Sequence, residues 1–589
     1  RGGPERLRGA AMILQALVKY YENLAEQGKV SRLGWCHAKV SYEINLSSEG
    51  DVIGITSRKI EDMRGKKAVW VPANLVVPEM VTRSSGVAAN FLCDNSKYML
   101  GIDAEGTNPR VMDCFQATKE KHGQILQSAQ GKTARAILAY FEKWDPKKAA
   151  EHPVIRENWE ELTEGGNLIF SVEGQEAQDA QEIRDCWENY RTQNGGEDNG
   201  ICLVTGKKAE ISRIHKAIKG VPGAQSSGAA LVSFNAPSFE SYGKEQSYNA
   251  PVGKYAEFAY TTALNYLLSQ RDYTFSMGDS MIVYWAESGR EQYQRCFSNM
   301  FRPTKDNQKK LKDIFDSLKE DTKIYLEDAE MDPKQNFYIL ALAPNAARLS
   351  VRFFYVNSFG KIIQNIADHY ERLKIVKPVW EEQDYLGIRD MLNETVNQKS
   401  KDKTPVPNMA ALVLQAILSG GRYPASLYTD TLIRIRAESG DKKISWGRAA
   451  IIKAYLIKNY DCMKGEKFMG LNKDCNDAAY VLGRLFSVLE AIQKEANPTI
   501  TTTIRDRYFN SACATPAVIF PVLIKLKNSH VKKLEREKGS AKVYYEKQLT
   551  EIMGKLDVFP KRLSLEQQGQ FDLGYYHQQQ EKYKKGEDK

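Results

Sequence analysis

The spacing of apolar residues changes once along this chain of 589 residues, near Tyr370, and this change constrains the fold more than any other feature. Before it, helical spacing alternates with strand-like spacing, as where Val40, Tyr42, Ile44 and Leu46 alternate with polar residues. After it, the strand-like alternation fades and long amphipathic segments follow one another. The sequence therefore predicts an α+β N-terminal region with short mixed or antiparallel sheets, followed by an all-α C-terminal helical bundle.

The pattern also predicts individual elements and boundaries. Further short strands are expected at 68–71, 98–102, 168–172, 201–205, 229–234, 281–285, 338–342 and 351–356, and helices at 385–396, 409–418, 425–437, 446–458, 474–495, 529–553 and 565–585. The Gly- and Lys-bearing stretch 464–473 resembles a linker. We therefore expect an expression remnant or linker at 1–11, an α+β domain at 12–375, a helical connecting region at 376–468 and a helical bundle at 469–589.

Charge and cysteine content favour some classes of protein over others. The 83 Lys and Arg residues exceed the 74 Asp and Glu residues, giving a net charge of +9, which permits a nucleic-acid partner without demanding one. The nine cysteines are scattered and never spaced as C-x-x-C, which fits reduced thiols. The longest apolar run is broken by Pro516, Pro521 and Lys525, well short of the roughly 20 residues that span a bilayer. We expect a cytoplasmic protein without a membrane partner.

Motifs that would indicate catalysis are missing from the sequence. Gly131-Lys132-Thr133 ends like a phosphate-binding loop, but Leu126 stands where that motif needs its first glycine. The seven histidines form no H-E-x-x-H pair, and there is no G-x-S-x-G motif. We expect no enzymatic activity, no cofactor and no bound metal.

The most informative stretch is 202–268, because its composition changes abruptly. Residues 205–220 are rich in Lys and Arg, whereas 221–239 contain no charged residue, two glycines and several short polar side chains. Such a segment suits a phosphate backbone or a groove, since cations neutralise phosphates while small polar groups approach closely. The alternative, which composition leaves open, is a Gly/Ser loop that enters a buried strand beside an ordinary solvated basic turn.

Two other stretches combine cations with small polar or aromatic residues. In 83–98, Arg83 and Lys97 flank serines and asparagines, and the alternative is an Asx-rich turn that satisfies its own backbone. In 422–453, several cations are interleaved with Tyr423, Tyr428 and Trp446, and the alternative is a solvated helix pair. Both alternatives remain open from the sequence.

Several long blocks resemble one known family. They are MILQALVKYYENLA from Met12, RSSGVAANFLCDNSKYMLGID from Arg83, the block from CLVTG to SFESYGKEQSYNAPV from Cys202, LAPNAARLSVRFF from Leu342, RYPASLYTDTLIRIRAESG from Arg422 and GYYHQQQ at 574–580. In this order they resemble the large subunit of the type I-C CRISPR Cascade surveillance complex, of the Csd family, along essentially the whole chain.

The resemblance implies a non-catalytic subunit of an RNA-guided complex. Such a subunit reads the protospacer-adjacent motif on double-stranded DNA, assists strand separation and R-loop stabilisation, and helps recruit a helicase-nuclease. Its implied partners are the guide RNA, the target DNA with its displaced single strand, the handle-holding and backbone Cascade subunits, and a small helical subunit. The family makes that small subunit from an internal start, for which Met469, or else Met463, is the candidate here.

Base pairing with the guide carries most of the sequence information, so the protein needs only a small reader, a wedge and basic tracks. The stretches 83–97 and 219–235 are predicted to supply the reader and wedge. The residues predicted to reach base edges are Asn90, Gln225, Ser226, Ser227 and Asn235; those predicted to contact phosphates or RNA are Arg83, Lys97, Arg213, Lys216, Lys219, Lys244, Arg434, Arg436 and Arg448. The alternative functions are an RNA-processing nuclease and a purely structural bridging subunit.

Overall fold

A computed structural model describes residues 4–584 except 65–66, 82–85, 106–107, 194–198, 302, 320–323, 327–328, 402, 407 and 441–442. The chain divides into two compact units. The N-terminal unit comprises Ala10–Lys216 and Ser233–Ala263, and the C-terminal unit includes Ala217–Val232 and Leu264–Lys589.

The N-terminal unit is organised around a mixed seven-stranded sheet. Its strands are β1 (Trp35–Leu46), β2 (Val52–Ser57), β3 (Lys59–Arg64), β4 (Lys67–Pro78), β5 (Cys93–Asn95), β6 (Asn167–Val172) and β7 (Gln175–Glu176). The order is β3-β4-β1-β6-β5, with β2 also paired to β1 and β7 to β6. Among the described strands of this sheet, β1 and β6 are the one parallel pair; for example, Ile44 lies opposite Phe170. The apolar residues that alternate along β1 in the sequence, Val40, Tyr42, Ile44 and Leu46, are all buried. Alternate side chains of a strand lie on the same face of the sheet.

Helices cover this sheet and complete its core. They are α2 (Ser96–Met99), α3 (Pro109–Leu126), α4 (Lys132–Lys143), α5 (Pro153–Glu157), α6 (Trp159–Thr163) and α7 (Gln181–Gln193), followed by a small hairpin of β8 (Asn199–Ile201) and β9 (Lys208–Glu210). The first helix, α1 (Pro4–Glu26), instead packs Tyr21 against Phe258, with ring centroids 5.7 Å apart. Helix α3 begins where Asn108 accepts a hydrogen bond from the Val111 amide (3.0 Å). Its apolar face packs with β6 in one core cluster that includes Phe115 and Phe170.

The C-terminal unit begins with a four-stranded antiparallel sheet. The chain reaches it through α8 (Lys254–Ser269), and the strands are β10 (Thr274–Met277), β11 (Ser280–Ala286), β14 (Asn336–Asn345) and β15 (Arg348–Ser358), in that order across the sheet. Between β11 and β14 lie α9 (Glu291–Phe301), α10 (Gln308–Lys319) and the short pair β12 (Ile324–Leu326) and β13 (Ala329–Met331).

From Phe359 onwards the described residues form helices and no strands. The helices are α11 (Phe359–Leu373), α12 (Ile388–Glu394), α13 (Met409–Ser419), α14 (Ala425–Ala437), α15 (Trp446–Asn459), α16 (Ala478–Ala496), α17 (Ile504–Ala514), α18 (Pro516–Glu537), α19 (Gly539–Met553) and α20 (Leu565–Lys584). Side-chain caps set several starts, such as Asp477 for α16 and Thr503 for α17. The predicted fold class, α+β and then all-α, is confirmed.

Glycines allow α16 and α20 to pack with their backbones close together. A Cβ atom at Gly483 would overlap the carbonyl of Phe571, and one at Gly574 would overlap the carbonyl of Tyr480. Further along α20, a Cβ atom at Gly569 would overlap the Tyr428 hydroxyl, so the same helix is also fitted against α14. At Gly483 and Gly574 the overlapping atoms are backbone atoms, so a larger residue at either position would force α16 and α20 apart.

Some predicted elements differ from those observed. The expected strand at 98–102 is wrong because Asn95 accepts a hydrogen bond from the Lys97 amide (3.1 Å) and starts α2 instead. Residues 229–234 form only isolated bridges at Ala229 and Ala230. The long helix predicted at 529–553 is two helices, α18 and α19, which divide at Lys538, and α17 was not predicted.

Candidate nucleic-acid interface

The Gly/Ser segment of the C-terminal unit is a loop closed by a β-bridge. Ile218 and Ala229 form two backbone hydrogen bonds (2.9 Å each), and both side chains are buried. Outside this bridge, Ala230 donates to the carbonyl of Ala347 (2.9 Å), which ties the loop to the turn between β14 and β15. The base of the loop is therefore fixed.

The tip of this loop is a tight turn that projects its polar residues into solvent. The Gly228 amide donates to the Gln225 carbonyl (2.9 Å), so Ser226 and Ser227 occupy the two central positions of a β-turn. Gly228 has φ +102°, a conformation that favours glycine. Gln225, Ser226 and Ser227 are all exposed. The alternative, a loop that enters a buried strand, differs from the structure in that residues 229–234 form isolated bridges instead of a strand, although Ala229 is buried.

A cation stands beside this tip on a rigid backbone. The Lys219 amide donates to Oδ1 of Asn265 (2.8 Å), and Nδ2 of Asn265 donates to the Ala217 carbonyl (3.2 Å). The Lys219 side chain is exposed. The arrangement offers one positive charge next to a neutral polar turn, which suits a phosphate beside a groove.

The N-terminal unit carries three of the predicted cations on its surface. Lys244 is exposed and forms no ion pair within the described part of the chain. Arg213 donates through Nε to Gln246 (2.8 Å) and lies 3.5 Å from Glu245. Lys216 lies 3.2 Å from Glu79, with about half of its side chain exposed. Exposed ion pairs of this kind contribute little, about 0–1 kcal/mol, so a phosphate can replace the carboxylate partner.

The other predicted residues of this unit differ in their surroundings. Asn235 is exposed, and Lys97 is exposed beside Asp103 (3.2 Å). Arg83 lies outside the described residues. Asn90 is only 1% exposed, and its Oδ1 accepts a hydrogen bond from the Val81 amide (2.9 Å). Asn90 therefore orders the adjacent backbone, and we leave it out of the proposed base contacts.

The three predicted arginines of the helical region are engaged within the C-terminal unit. Arg434 pairs with Glu438, one turn further along α14, and Arg436 donates to Gln568. Arg448 is buried, lies 3.3 Å from Glu394, and has a lowered pKa because burial disfavours its charge. The aromatic neighbours Tyr423 and Tyr428 are buried as well. Arg436 is nevertheless exposed and Arg434 is partly exposed, whereas Arg448 is buried and stabilises the fold.

Three buried histidines each contact a tyrosine hydroxyl. His215 contacts the Tyr260 hydroxyl (2.6 Å), His369 the Tyr423 hydroxyl (2.6 Å), and His577 the Tyr480 hydroxyl (2.9 Å). Burial lowers the pKa of His215 to about 4, so this imidazole is neutral near pH 7. Among the described residues, no group of His, Cys, Asp and Glu side chains is arranged to hold a metal ion.

Among the exposed aromatic residues that were not predicted, one lies on a turn beside a predicted cation. Tyr242, in the N-terminal unit, is 99% exposed at the tip of a turn. The sequence Ser-Tyr-Gly-Lys at 241–244 could have indicated it, because glycine favours a turn there. Tyr242 lies two residues before Lys244, which was predicted to contact phosphates or RNA.

Comparison with known proteins places the chain in a family. Over the residues that the structure describes, no helix is both long and apolar enough to cross a bilayer. No curated protein matches the sequence. A family model described as CRISPR-associated protein (Cas_Csd1) matches residues 17–583, nearly the whole chain. This chain therefore belongs to the Cas_Csd1 family of CRISPR-associated proteins.

Proposed function

We propose that the protein is the large subunit of a type I-C Cascade complex and reads the protospacer-adjacent motif on double-stranded DNA. The observation that carries the proposal is the exposed turn Gln225–Ser227, held on a fixed base in a chain of the Cas_Csd1 family. The minor groove is about 6 Å wide and presents similar acceptors for A·T and T·A pairs. A tight turn of short, uncharged donors and acceptors fits such a groove better than a helix does.

The exposed lysines and arginines are proposed to contact phosphates. Lys219 contacts a phosphate next to the groove, and Arg213, Lys216, Lys244 and Lys97 contact phosphates of the DNA or of the guide RNA. Support comes from their exposure, because each side chain reaches solvent from an ordered backbone. Arg434 and Arg436 remain candidates for contacts with phosphates or RNA; Arg436 is exposed beside Gln568, and Arg434 would exchange Glu438 for a phosphate.

The proposed subunit has no catalytic role and acts through its partners. It assists strand separation, stabilises the R-loop beside the handle-holding and backbone subunits, and helps recruit a helicase-nuclease. The segment 469–589 is proposed to be made separately as well, from Met469 or Met463, as the small helical subunit. Guide RNA pairing then tests the target sequence after the adjacent motif has been accepted.

The reader can be tested with the triple variant Gln225→Ala, Ser226→Ala, Ser227→Ala in the assembled, guide-loaded complex. The affinity for duplex DNA with the correct adjacent motif is compared with that for a scrambled motif at one salt concentration. A wrong base pair typically costs about 1–3 kcal/mol in such interfaces, so we expect the discrimination to fall by roughly tenfold or more.

A matched control replaces two exposed polar residues elsewhere, Gln127→Ala with Ser128→Ala. This control should leave the discrimination intact. If the triple variant assembles normally and still discriminates as the wild type does, the turn is not the reader. If it assembles poorly while the complexes that do form keep the wild-type motif preference, the protein is a structural bridge. Specific cutting of repeat RNA by the purified protein, lost with a point change, would instead show a processing nuclease.

A further inference from the structure

The turn that carries Tyr242 presents an aromatic ring without any cover from its own chain. The Lys244 amide donates to the Ser241 carbonyl (3.1 Å), and the two residues form a β-bridge. Between them Tyr242 has φ +55° and Gly243 φ +67°, the signs of a type I′ turn. The Tyr242 side chain is 99% exposed. A large ring is thus held at the outermost point of the turn.

The backbone of this turn is held although its conformation is unfavourable for tyrosine. A positive φ is uncommon for a bulky residue and persists only where neighbouring groups fix it. Asn249 does so from both sides: its Oδ1 accepts from the Ser241 amide (2.8 Å), and its Nδ2 donates to the carbonyls of Lys244 (2.7 Å) and Gln246 (2.9 Å). The turn is therefore rigid before any partner binds, so binding costs it little conformational entropy.

The acidic residues near the turn are already occupied. Oε1 of Glu240 accepts a hydrogen bond from the Gln246 amide (3.2 Å), and Glu245 lies 3.5 Å from Arg213. Lys244, by contrast, is exposed and forms no ion pair in the described part of the chain. The turn thus offers one flat ring and one available positive charge.

This combination favours a nucleobase over a protein pocket as the occupant. A tyrosine that anchors a protein interface is normally surrounded by other apolar side chains, whereas the neighbours of Tyr242 in the turn are Ser241, Gly243 and Lys244. Every base has a flat face on which an aromatic ring can stack, and the phosphate next to that base attracts a lysine.

We propose that Tyr242 stacks on the first unpaired base where the target duplex opens, while Lys244 contacts the adjacent phosphate. This inference rests on the proposed function and assigns to Tyr242 the separation of the strands, a step distinct from reading the motif. The ring would occupy the place that the neighbouring base pair leaves, so that the opened end does not close again.

The test uses the full-length protein in its assembled complex and a forked DNA with 2-aminopurine at the first unpaired position. Stacking on tyrosine quenches the fluorescence of this base analogue. Tyr242→Asn removes the ring while keeping a residue that tolerates positive φ, and Tyr242→Trp keeps a ring. We expect Tyr242→Asn to lose the quenching and to bind the fork about 5- to 150-fold more weakly. We expect Tyr242→Trp to retain both properties.

The same variants are measured on closed duplex DNA bearing the motif, which separates this inference from the proposed function. Unchanged duplex binding with loss of the fork signal supports a junction role for Tyr242. Undiminished quenching in Tyr242→Asn overturns the inference, as does an equal loss on duplex and fork or a failure of this variant to enter the complex. If the wild-type complex quenches the fork but shows no motif preference, the reader proposal fails and the stacking inference stands.

Discussion

The pKa of the buried Asp572 carboxyl can be tested through the pH dependence of stability. Its side chain is 2% exposed on α20, where burial raises the pKa to about 8 against the opposing effect of Lys443 and Arg436. The Cys513 thiol donates to its Oδ1 (3.9 Å); this contact also favours the ionised carboxylate, but burial outweighs it. Near pH 7 the folded protein therefore holds Asp572 mostly in its neutral form.

The sign of the resulting pH dependence follows from the raised pKa. In the unfolded chain an aspartate ionises near pH 4, so above that pH unfolding releases a proton that the folded state retains until about pH 8. The contribution of the neutral Asp572 carboxyl to the free energy of unfolding is fully present below the unfolded-state pKa. It is lost as the pH rises towards and through the folded-state pKa, at about 1.4 kcal/mol per pH unit. Between about pH 6 and pH 8 this single group lowers the free energy of unfolding by about 2 kcal/mol.

Replacing Asp572 with Asn removes this dependence, because the amide does not titrate. Hydrogen exchange followed by mass spectrometry on peptides of α16 and α20 measures the local opening free energy in the full-length chain. We expect the protection of the variant relative to wild type to rise roughly 30-fold from about pH 6 to pH 8, which corresponds to about 2 kcal/mol. The exposed Asp557→Asn is the matched control and should show no such rise. Identical ratios at both pH values for Asp572→Asn would refute the reasoning.

Two further outcomes concern the loop of the C-terminal unit. Lys219→Ala should weaken DNA binding by the complex for all sequences and reduce the slope of log affinity against log salt by about 0.9, since one phosphate contact is lost; an unchanged slope would remove Lys219 from the interface. Gly228→Ala should strain the closing bridge, because φ is +102° and the added Cβ would lie 2.8 Å from Cβ of Ala217. We expect faster hydrogen exchange of the two bridge amides and a loss of motif discrimination, and exchange as slow as in the wild type would contradict this.

The sequence predicted the architecture where periodicity was long and failed where a single polar contact decided the structure. Helix α14 was predicted at 425–437 and found there, because an apolar stripe over several turns leaves little ambiguity. The strand predicted at 98–102 failed because one side chain, Asn95, caps a helical turn that apolar spacing does not reveal. The split of α18 from α19 at Lys538 likewise follows from backbone geometry at one residue.

The candidate site was predictable as a segment but not residue by residue. A run of glycines and serines without charge indicated an exposed loop, and Gln225–Ser227 are exposed as such a loop requires. Sequence could not separate Asn90 from Asn235, because the residue type is the same at both positions and only the fold buries Asn90. Tyr242 was missed since its exposure depends on hydrogen bonds from Asn249, which is not adjacent in sequence.

The glycine contacts of α20 have a consequence for a shorter gene product beginning at Met469. Such a product would keep the contacts at Gly483 and Gly574, both of which lie within it. It would lack Tyr428, whose hydroxyl donates to the Leu565 carbonyl (2.8 Å) and lies against Gly569 in the full-length chain. One gene would then yield two proteins with the same helical pair, of which only the shorter leaves a notch at Gly569 open to a neighbouring subunit.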